Sequence, residues 1–346
     1  MHAPPRVCIV SPALAAANNG NWHTARRWSR FLAGVAKTQI MLAWDGTPFD
    51  ALIALHARRS ADSIARFHAA HPSAPIGLVM TGTDLYRDLQ SDSSAQHSVE
   101  CASHVVVLQD EGLLRLPLAA RPKARSIVQS ATRLVRGDAA TGHVGFVAVG
   151  HLRDEKDPLT LMAAARLLPP ASKIRIVHIG SALDDSLGAQ ARATMQQCPH
   201  YRWLGGLPQA VARRWIARSR ALVHMSRMEG GANVVIEAVR SQVPVLASRI
   251  DGNVGLLGRD YDGYFPVGDA PALAALMQRF AGDAHFARHL AAQCRLREPR
   301  YTPAEEARAV RALLADMLAG PAGQRQQPAR GADTIGASPP LRDHAP

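Results

Sequence analysis

Glu229 and Glu237 enclose seven residues that begin with Gly230-Gly231 and run into an apolar, helix-like stretch. A Gly-Gly turn feeding a helix leaves backbone N–H groups facing outward, which suits phosphate. A carboxylate on either side can accept hydrogen bonds from sugar hydroxyls. The chemistry predicted is capture of a nucleotide sugar, with the amides of Gly230, Gly231, Ala232 and Asn233 turned to the phosphates. The apolar runs at residues 220–225 and 242–248 place the motif in a strand, loop, helix, strand unit. Open parallel sheets bind ligands just beyond the carboxyl ends of such strands.

A second group, Gly150-His151-Leu152-Arg153-Asp154-Glu155-Lys156-Asp157-Pro158, follows another apolar run. Arg153 and Lys156 are candidates to neutralise a diphosphate leaving group. In the same segment Asp157 is placed to cap a helix whose first residue is Pro158.

Three polar segments in the first half end apolar runs in the same way: Asn18-Asn19-Gly20-Asn21-Trp22, His56-Ala57-Arg58-Arg59, and Thr81-Gly82-Thr83-Asp84-Leu85-Tyr86-Arg87. They converge on one sheet edge. Asn19, Gly20 and Asn21 offer neutral donors to an anion; Arg26, Arg58 and Arg87 offer charge, and Thr83 a hydroxyl. His56 reads either as a buried, hydrogen-bonded histidine or as a group that binds phosphate or acceptor or protonates a leaving oxygen. Asp84 reads as a helix cap, or as a carboxylate acting on a sugar hydroxyl or holding a basic neighbour.

The elements needed to carry these loops are legible as alternating apolar runs and helical stretches. Strands are predicted at residues 7–10, 39–43, 51–55, 76–80, 105–108 and 126–128, with helices beginning near Trp22, Ser60, Ser93 and Asp110. Residues 130–143 lose periodicity and read as a linker. The alternation then restarts, with strands at 144–149, 174–179, 203–204, 221–225 and 243–247 and helices at 159–168, 189–197, 209–217 and 232–241. The fold class is α/β, as two doubly wound parallel sheets. Helical segments follow at residues 272–297 and 304–319, and the tail after Gly320 is rich in Gly, Pro and Gln and reads as disordered. The domains expected are 1–130, a linker 131–143, and 144–300. A final helix at 301–319 then crosses back to the first domain, leaving a tail from 320 to 346.

Composition narrows the class. With 346 residues and 47% hydrophobic content the chain can build full cores. Its net charge is +12, yet the arginines are spread through Ala-rich helices with no interleaved aromatic stripe. A basic cleft for a small polyanion is favoured over nucleic acid. Cys8, Cys101, Cys198 and Cys294 lie far apart, and no leader or membrane span is evident. The expectation is reduced thiols in a cytoplasmic protein without stable membrane insertion. No D-x-D aspartate pair is placed to hold a metal, and no cofactor is implied.

The succession of residues 150–156, Leu204-Gly205-Gly206-Leu207-Pro208, Glu229 to Glu237 and Pro244-Val245-Leu246-Ala247-Ser248 resembles the carboxyl-terminal half of GT-B glycosyltransferases of family GT4. The resemblance implies that Glu229 contacts the donor sugar, Glu237 the nucleotide ribose, and the intervening amides the phosphates, and that the base lies near Gly180-Ser181 and residues 204–207. Most members carry arginine where this chain has His151, so the leaving-group clamp would fall to Lys156 with Arg153 two positions displaced.

The first-half segments, taken with Gly150-His151-Leu152-Arg153-Asp154-Glu155-Lys156, are similar to the selenosugar synthases of selenoneine biosynthesis (SenB-like). That resemblance covers most of residues 6–318. It implies a UDP-sugar donor, UDP-N-acetylglucosamine or UDP-glucose, and selenophosphate as acceptor. Glu229, His56, Asp84 and Lys156 are then the catalytic candidates. His151, Arg153, Lys156, Gly20 and the Glu229–Glu237 segment fall to the donor, and Asn19, Gly20, Asn21, Arg26, Arg58, Thr83 and Arg87 to the acceptor. The rival readings are a GT4 transferase with a hydroxyl acceptor, an epimerase or hydrolase of the same fold, and a non-enzymatic nucleic-acid-binding or scaffold protein.

Overall fold

A computed structural model describes residues 3–14, 20–136, 142–169 and 171–320. Asn18 and Asn19, residues 137–141 of the linker and the tail from 321 to 346 lie outside the described residues. Six strands form the first sheet: β1 (Arg6–Val10), β2 (Lys37–Met41), β3 (Ala51–Leu55), β4 (Ile76–Met80), β5 (His104–Val107) and β6 (Ala124–Ser126). Six form the second: β7 (Val144–Val149), β8 (Ile174–Ile179), β9 (Tyr201–Trp203), β10 (Ala221–His224), β11 (Val245–Ser248) and β12 (Tyr264–Phe265).

The orders are β2-β1-β3-β4-β5-β6 and β12-β11-β10-β7-β8-β9, with every pairing parallel. In each sheet the order reverses once, beside β1 in the first and between β7 and β10 in the second. A crevice opens at the carboxyl ends of the strands at such a point. β3 and β4 are buried at every residue, which is why they read as unbroken apolar runs.

The two sheets carry separate cores. Helices cover both faces of the first sheet. On one face Trp28 and Leu32 pack with Ile53 and Val79, and on the other Phe67 and Ile64 pack with Leu52 and Leu78. The helix Pro303–Ala319 places Val310, Leu313, Leu314 and Met317 in the Trp28 cluster, so it belongs to the first lobe's core although the chain reaches it from the second. Glu306, buried on that helix, fastens the join. Its carboxylate accepts from Trp28 Nε1 at 2.8 Å, Arg27 Nε at 2.7 Å and the Ser130 amide at 2.7 Å.

Local differences from the sequence expectation have simple causes. The short edge strand β12 and the helix Asp251–Leu257 give too few residues for a periodic signal. β6 ends at Ser126, two residues before the expected end. Near Asp110 the chain forms 3₁₀ turns, Asp110–Arg115 and Leu118–Lys123, the second containing Pro122. The segment expected at 272–297 is two helices, Ala270–Gly282 and Ala284–Arg297. Asp283 parts them, its carboxylate accepting from the amides of His285 and Phe286 at 2.8 and 3.0 Å to start the second.

Candidate active site

β10 ends at His224, and the loop that follows carries Glu229 before the helix Asn233–Arg240 begins. The Glu229 carboxylate is enclosed by three donors. Its Oε1 pairs with the Lys156 ammonium, accepts from Ser226 Oγ at 2.7 Å, and lies 3.3 Å from His224 Nε2. Burial pushes this carboxyl up, but the charge of Lys156, aided by His224, outweighs burial and holds it well below the usual carboxylate range. Glu229 is therefore a fixed anion, an acceptor of hydrogen bonds rather than a proton donor.

Lys156 comes from the opposite side of the crevice, in the 3₁₀ turn Asp154–Lys156 after β7. His151, in the same loop, accepts from the Ser181 amide through Nδ1 at 3.2 Å, which leaves the proton on Nε2. Burial and the charges of Arg153 and Lys156 lower its pKa, so the ring is a neutral donor. Arg153 turns to Glu155, with Nε 3.8 Å from the carboxylate, and Glu155 also accepts from Arg87 of the first lobe at 3.2 Å. Asp157 stands at the helix start before Pro158, but its side chain does not cap the helix. Its carboxylate instead accepts from Thr160 Oγ1 at 2.7 Å and Arg227 at 3.2 Å, while its backbone is left-handed (φ 48°).

Glu237 sits on the buried face of the helix Asn233–Arg240. Gln209 donates to it at 3.0 Å and Arg213 Nε lies 3.6 Å away. Burial nevertheless dominates and raises its carboxyl to about 7. The amides at the start of this helix have no side-chain cap from Ala232. The helix Gly20–Leu32 of the first lobe begins nearby: a methyl group on Gly20 would lie 3.6 Å from Asn233 Nδ2. Two helix N-termini thus meet from opposite lobes, a setting that favours an anion.

The two lobes touch at this point. A Cβ on Gly230 would stand 2.4 Å from the Thr81 carbonyl, and one on Gly82 would stand 2.9 Å from the Gly230 amide. Glycine at both places is what allows the loops after β4 and β10 to approach backbone to backbone.

Behind Thr81, Asp84 is wholly buried and its carboxylate accepts from the amides of Ala57, Thr81 and Gly82 at 2.8–2.9 Å. Of the three readings made from the sequence, the geometry favours a carboxylate that holds its neighbours, with His56 Nδ1 3.9 Å from its Oδ2, and its side chain caps no helix. Asp84 has no surface to offer, and it ties the loop after β3 to the loop after β4. It opens a π-helical turn, Asp84–Asp88, of the kind often found beside functional sites.

His56 is buried with a left-handed backbone (φ 73°), its Nδ1 accepting from the Arg59 amide at 3.3 Å and its Nε2 3.0 Å from Thr83 Oγ1. Burial outweighs the nearby Asp84 carboxylate and keeps its pKa low. Arg58 and Arg87, both about half exposed, clamp Asp88, each at 3.1 Å. Arg26 is exposed on the first helix and Asn21 is partly buried there. The loops proposed for the base also meet: the Gly180 amide donates to the Gly205 carbonyl at 2.8 Å, and Trp203 Nε1 to the Gly180 carbonyl at 2.8 Å.

Sequence reasoning brought Glu229 and Lys156 together, and His56 and Thr83. It missed His224, Ser226, Gln209, Arg213 and Asp88. A histidine ending the otherwise apolar run Ala221-Leu222-Val223 was the available signal for His224; nothing local marks Gln209 or Arg213, which reach Glu237 only through the packing of two helices. Among the described residues no three His, Cys, Asp or Glu side chains converge as a metal site, and no helix is long and apolar enough to cross a membrane.

The whole architecture aligns with the crystal structure of Anabaena HepE in complex with UDP and glucose, with a TM-score of 0.72 at 12% identity, over 90% of this chain and 99% of that one. The fold is GT-B. Sucrose-phosphate synthase from Thermosynechococcus elongatus shares this GT-B arrangement, with a TM-score of 0.70 at 16% identity over 92% and 100% of the two chains. Residues 143–283, the lobe of Glu229 and Lys156, match the family described as Glycosyl transferases group 1. A Xenopus tropicalis protein, glycosyltransferase 1 domain-containing protein 1, is 23% identical over 215 residues, 55% of this chain. The aligned part spans 61% of that relative's length.

Proposed function

We propose that this protein transfers a hexosyl group from a UDP-sugar, UDP-N-acetylglucosamine or UDP-glucose, to the selenium of selenophosphate. The anomeric C–O bond to UDP breaks and a C–Se bond forms; water then opens the Se–P bond, so the products are a 1-selenosugar, UDP and phosphate. The observation that carries the donor half is the Lys156–Glu229 pair at the end of β10, against the Thr81–Gly82 loop of the facing lobe. Glu229, fixed as an anion, accepts from the donor sugar's hydroxyls. Lys156, the neutral Nε2–H of His151 and the first amides of the helix Asn233–Arg240 take the diphosphate charge as the leaving group departs. Glu237 takes the ribose.

The acceptor half rests on the resemblance of the loops after β1, β3 and β4, and on the state of their groups. Asp84 and Asp88 are committed to amides and arginines, and His56 to Thr83 and the Arg59 amide. A hydroxyl acceptor profits from a general base, whereas the anionic, soft selenium of selenophosphate needs placement and charge neutralisation. Arg58 and Arg87, at the rim with roughly half their surfaces open, supply both. Gly20 and Asn21 start the helix that faces Asn233.

The test is incubation with each UDP-sugar, with and without selenophosphate, and mass spectrometry for a selenium-bearing hexose or hexosamine. Parallel reactions contain sugar or lipid hydroxyl acceptors. UDP release without a selenium product, or product with a hydroxyl acceptor alone, sinks the selenium assignment; no UDP-sugar turnover under any condition sinks the transferase.

A further inference from the structure

On the far side of the second lobe from Glu229 lies a groove of about 410 Å3. It opens at the starts of β10 and β11, between Arg220 and Pro244, whereas the site described above occupies the ends of those strands. The helix Ala284–Arg297 forms one wall. Ala284, Ala287, Arg288, Ala291 and Arg295 recur at helical spacing on one face, small residues giving depth and arginines the rim. Arg136, from the segment joining the lobes, and Arg220 stand opposite, with Phe280 at the floor.

Four guanidinium groups therefore surround one cavity, and among the described residues no acidic side chain lines it. Among the described residues none of the four forms an ion pair, although arginines elsewhere on this surface commonly do: Arg259 with Glu111, Arg300 with Asp110, Arg297 with Asp260. Arg136 is anchored through the carbonyls of Gln242 and Arg220 at 3.3 and 3.5 Å, which hold its charge toward its neighbours. Burial and the nearby Arg220 lower its affinity for its proton. An arrangement of like charges in a concave, partly apolar site is relieved by an anion, and the fork of each guanidinium matches phosphate oxygens.

We propose that this groove binds a multiply charged phosphate anion, a polyphosphate chain free or carried on a small organic body, at a second site distinct from the donor site. The volume is that of a small-molecule site, and the Ala and Phe280 lining accommodates a compact apolar portion. Because Arg136 belongs to the inter-lobe segment, the ligand would also tie that segment to the second lobe.

The test is calorimetric titration of the intact protein with inorganic tripolyphosphate at low salt, with UDP present at saturation to fill the donor site. One saturable site is expected, weakened about tenfold or more in Arg288→Glu and in Arg220→Glu, since losing one charge-assisted contact is worth at least that factor. Unchanged UDP affinity and melting temperature verify that both variants are folded. Absence of saturable binding, or binding that neither variant weakens, overturns the proposal. Co-sedimentation with phosphatidylglycerol vesicles in place of tripolyphosphate binding also overturns it, assigning the arginines to a lipid surface. A protein that failed to bind UDP would undercut the transferase reading and leave the comparison of the two arginine variants intact.

Discussion

Arg87 reaches across from the first lobe to Glu155 of the second, its Nη1 donating to Oε1 at 3.2 Å. Three more pairs span the lobes nearby. Arg259 holds Glu111 through two bonds of 2.9 Å, Arg115 meets Asp251 at 2.5 Å, and Arg300 meets Asp110 at 2.7 Å. In each the arginine is about half exposed or more, so the pair contributes little and is screened once the Debye length falls to roughly 3 Å in 1 M salt. The lobes should therefore open with ionic strength. Small-angle scattering is expected to give a larger radius of gyration in 1 M than in 0.05 M NaCl, the difference shrinking in Glu111→Gln with Asp251→Asn. A radius independent of salt in the wild type would show that these pairs do not hold the lobes closed.

Glu237 gives the protein a pH-dependent stability. Its folded carboxyl titrates at about 7, above the ordinary value of 4.5, because burial outweighs Arg213 and Gln209. A raised carboxyl favours the folded state most below the unfolded pKa and loses that contribution as pH climbs through the folded value. Stability should fall between about pH 4.5 and 7, by up to roughly 3 kcal/mol if no other group compensates. Glu237→Gln should flatten that part of the curve of melting temperature against pH. A variant curve parallel to the wild type would assign the slope elsewhere.

Glu229 and Lys156 are expected to fail differently. Glu229→Ala removes the acceptor for the donor sugar and should lower turnover by about 10²-fold or more with UDP still bound. Lys156→Met leaves the carboxylate among Ser226 and His224 without its strongest counter-charge, so burial prevails and the carboxyl rises. Turnover should then acquire an acidic limb that the wild type, with its carboxyl held low by Lys156, does not show. Steady-state kinetics across pH reads both outcomes; full activity in Glu229→Ala would overturn the donor assignment.

His151 stands where the resemblance implies arginine, and its ring is neutral with the proton on Nε2. His151→Arg should therefore keep donor binding and His151→Ala should raise the KM for the UDP-sugar about tenfold, the worth of one good hydrogen bond to a charged group. Equal KM values in all three proteins would remove His151 from the site.

Asp84 should behave as a support. Asp84→Ala strands three buried amides at Ala57, Thr81 and Gly82, and a loss of about 3 kcal/mol or more is expected in denaturant unfolding. Asp84→Asn retains one acceptor oxygen and should recover part of it. A stable but inactive Asp84→Ala protein would return this carboxylate to direct chemistry.

The sheet architecture was legible because central parallel strands are apolar throughout: residues 51–55 and 76–80 could hardly be anything else. Elements that draw their stability from neighbours, such as β12 and the helix Asp251–Leu257, left no periodic trace. The Glu229–Lys156 pair was readable because both residues lie in strand-to-helix loops on one sheet edge, where topology forces proximity. The partners of Asp84 were not legible because the amides of Ala57, Thr81 and Gly82 are backbone groups, and no side-chain pattern announces them. Gln209 and Arg213 were invisible for a related reason, since their approach to Glu237 is set by the packing of two helices that flank β10.

The helix Pro303–Ala319 has a consequence for how such a chain can be taken apart. The polypeptide passes between the lobes twice, outward between β6 and β7 and back near Thr302, where Glu306 locks onto Trp28 and Arg27. The first lobe is thus not a contiguous piece of sequence, whereas the second is. A cut between them would leave the first without part of its own interior, so the two lobes cannot be exchanged as simple front and back modules. Any recombination has to carry all seventeen residues of that helix together with the first lobe.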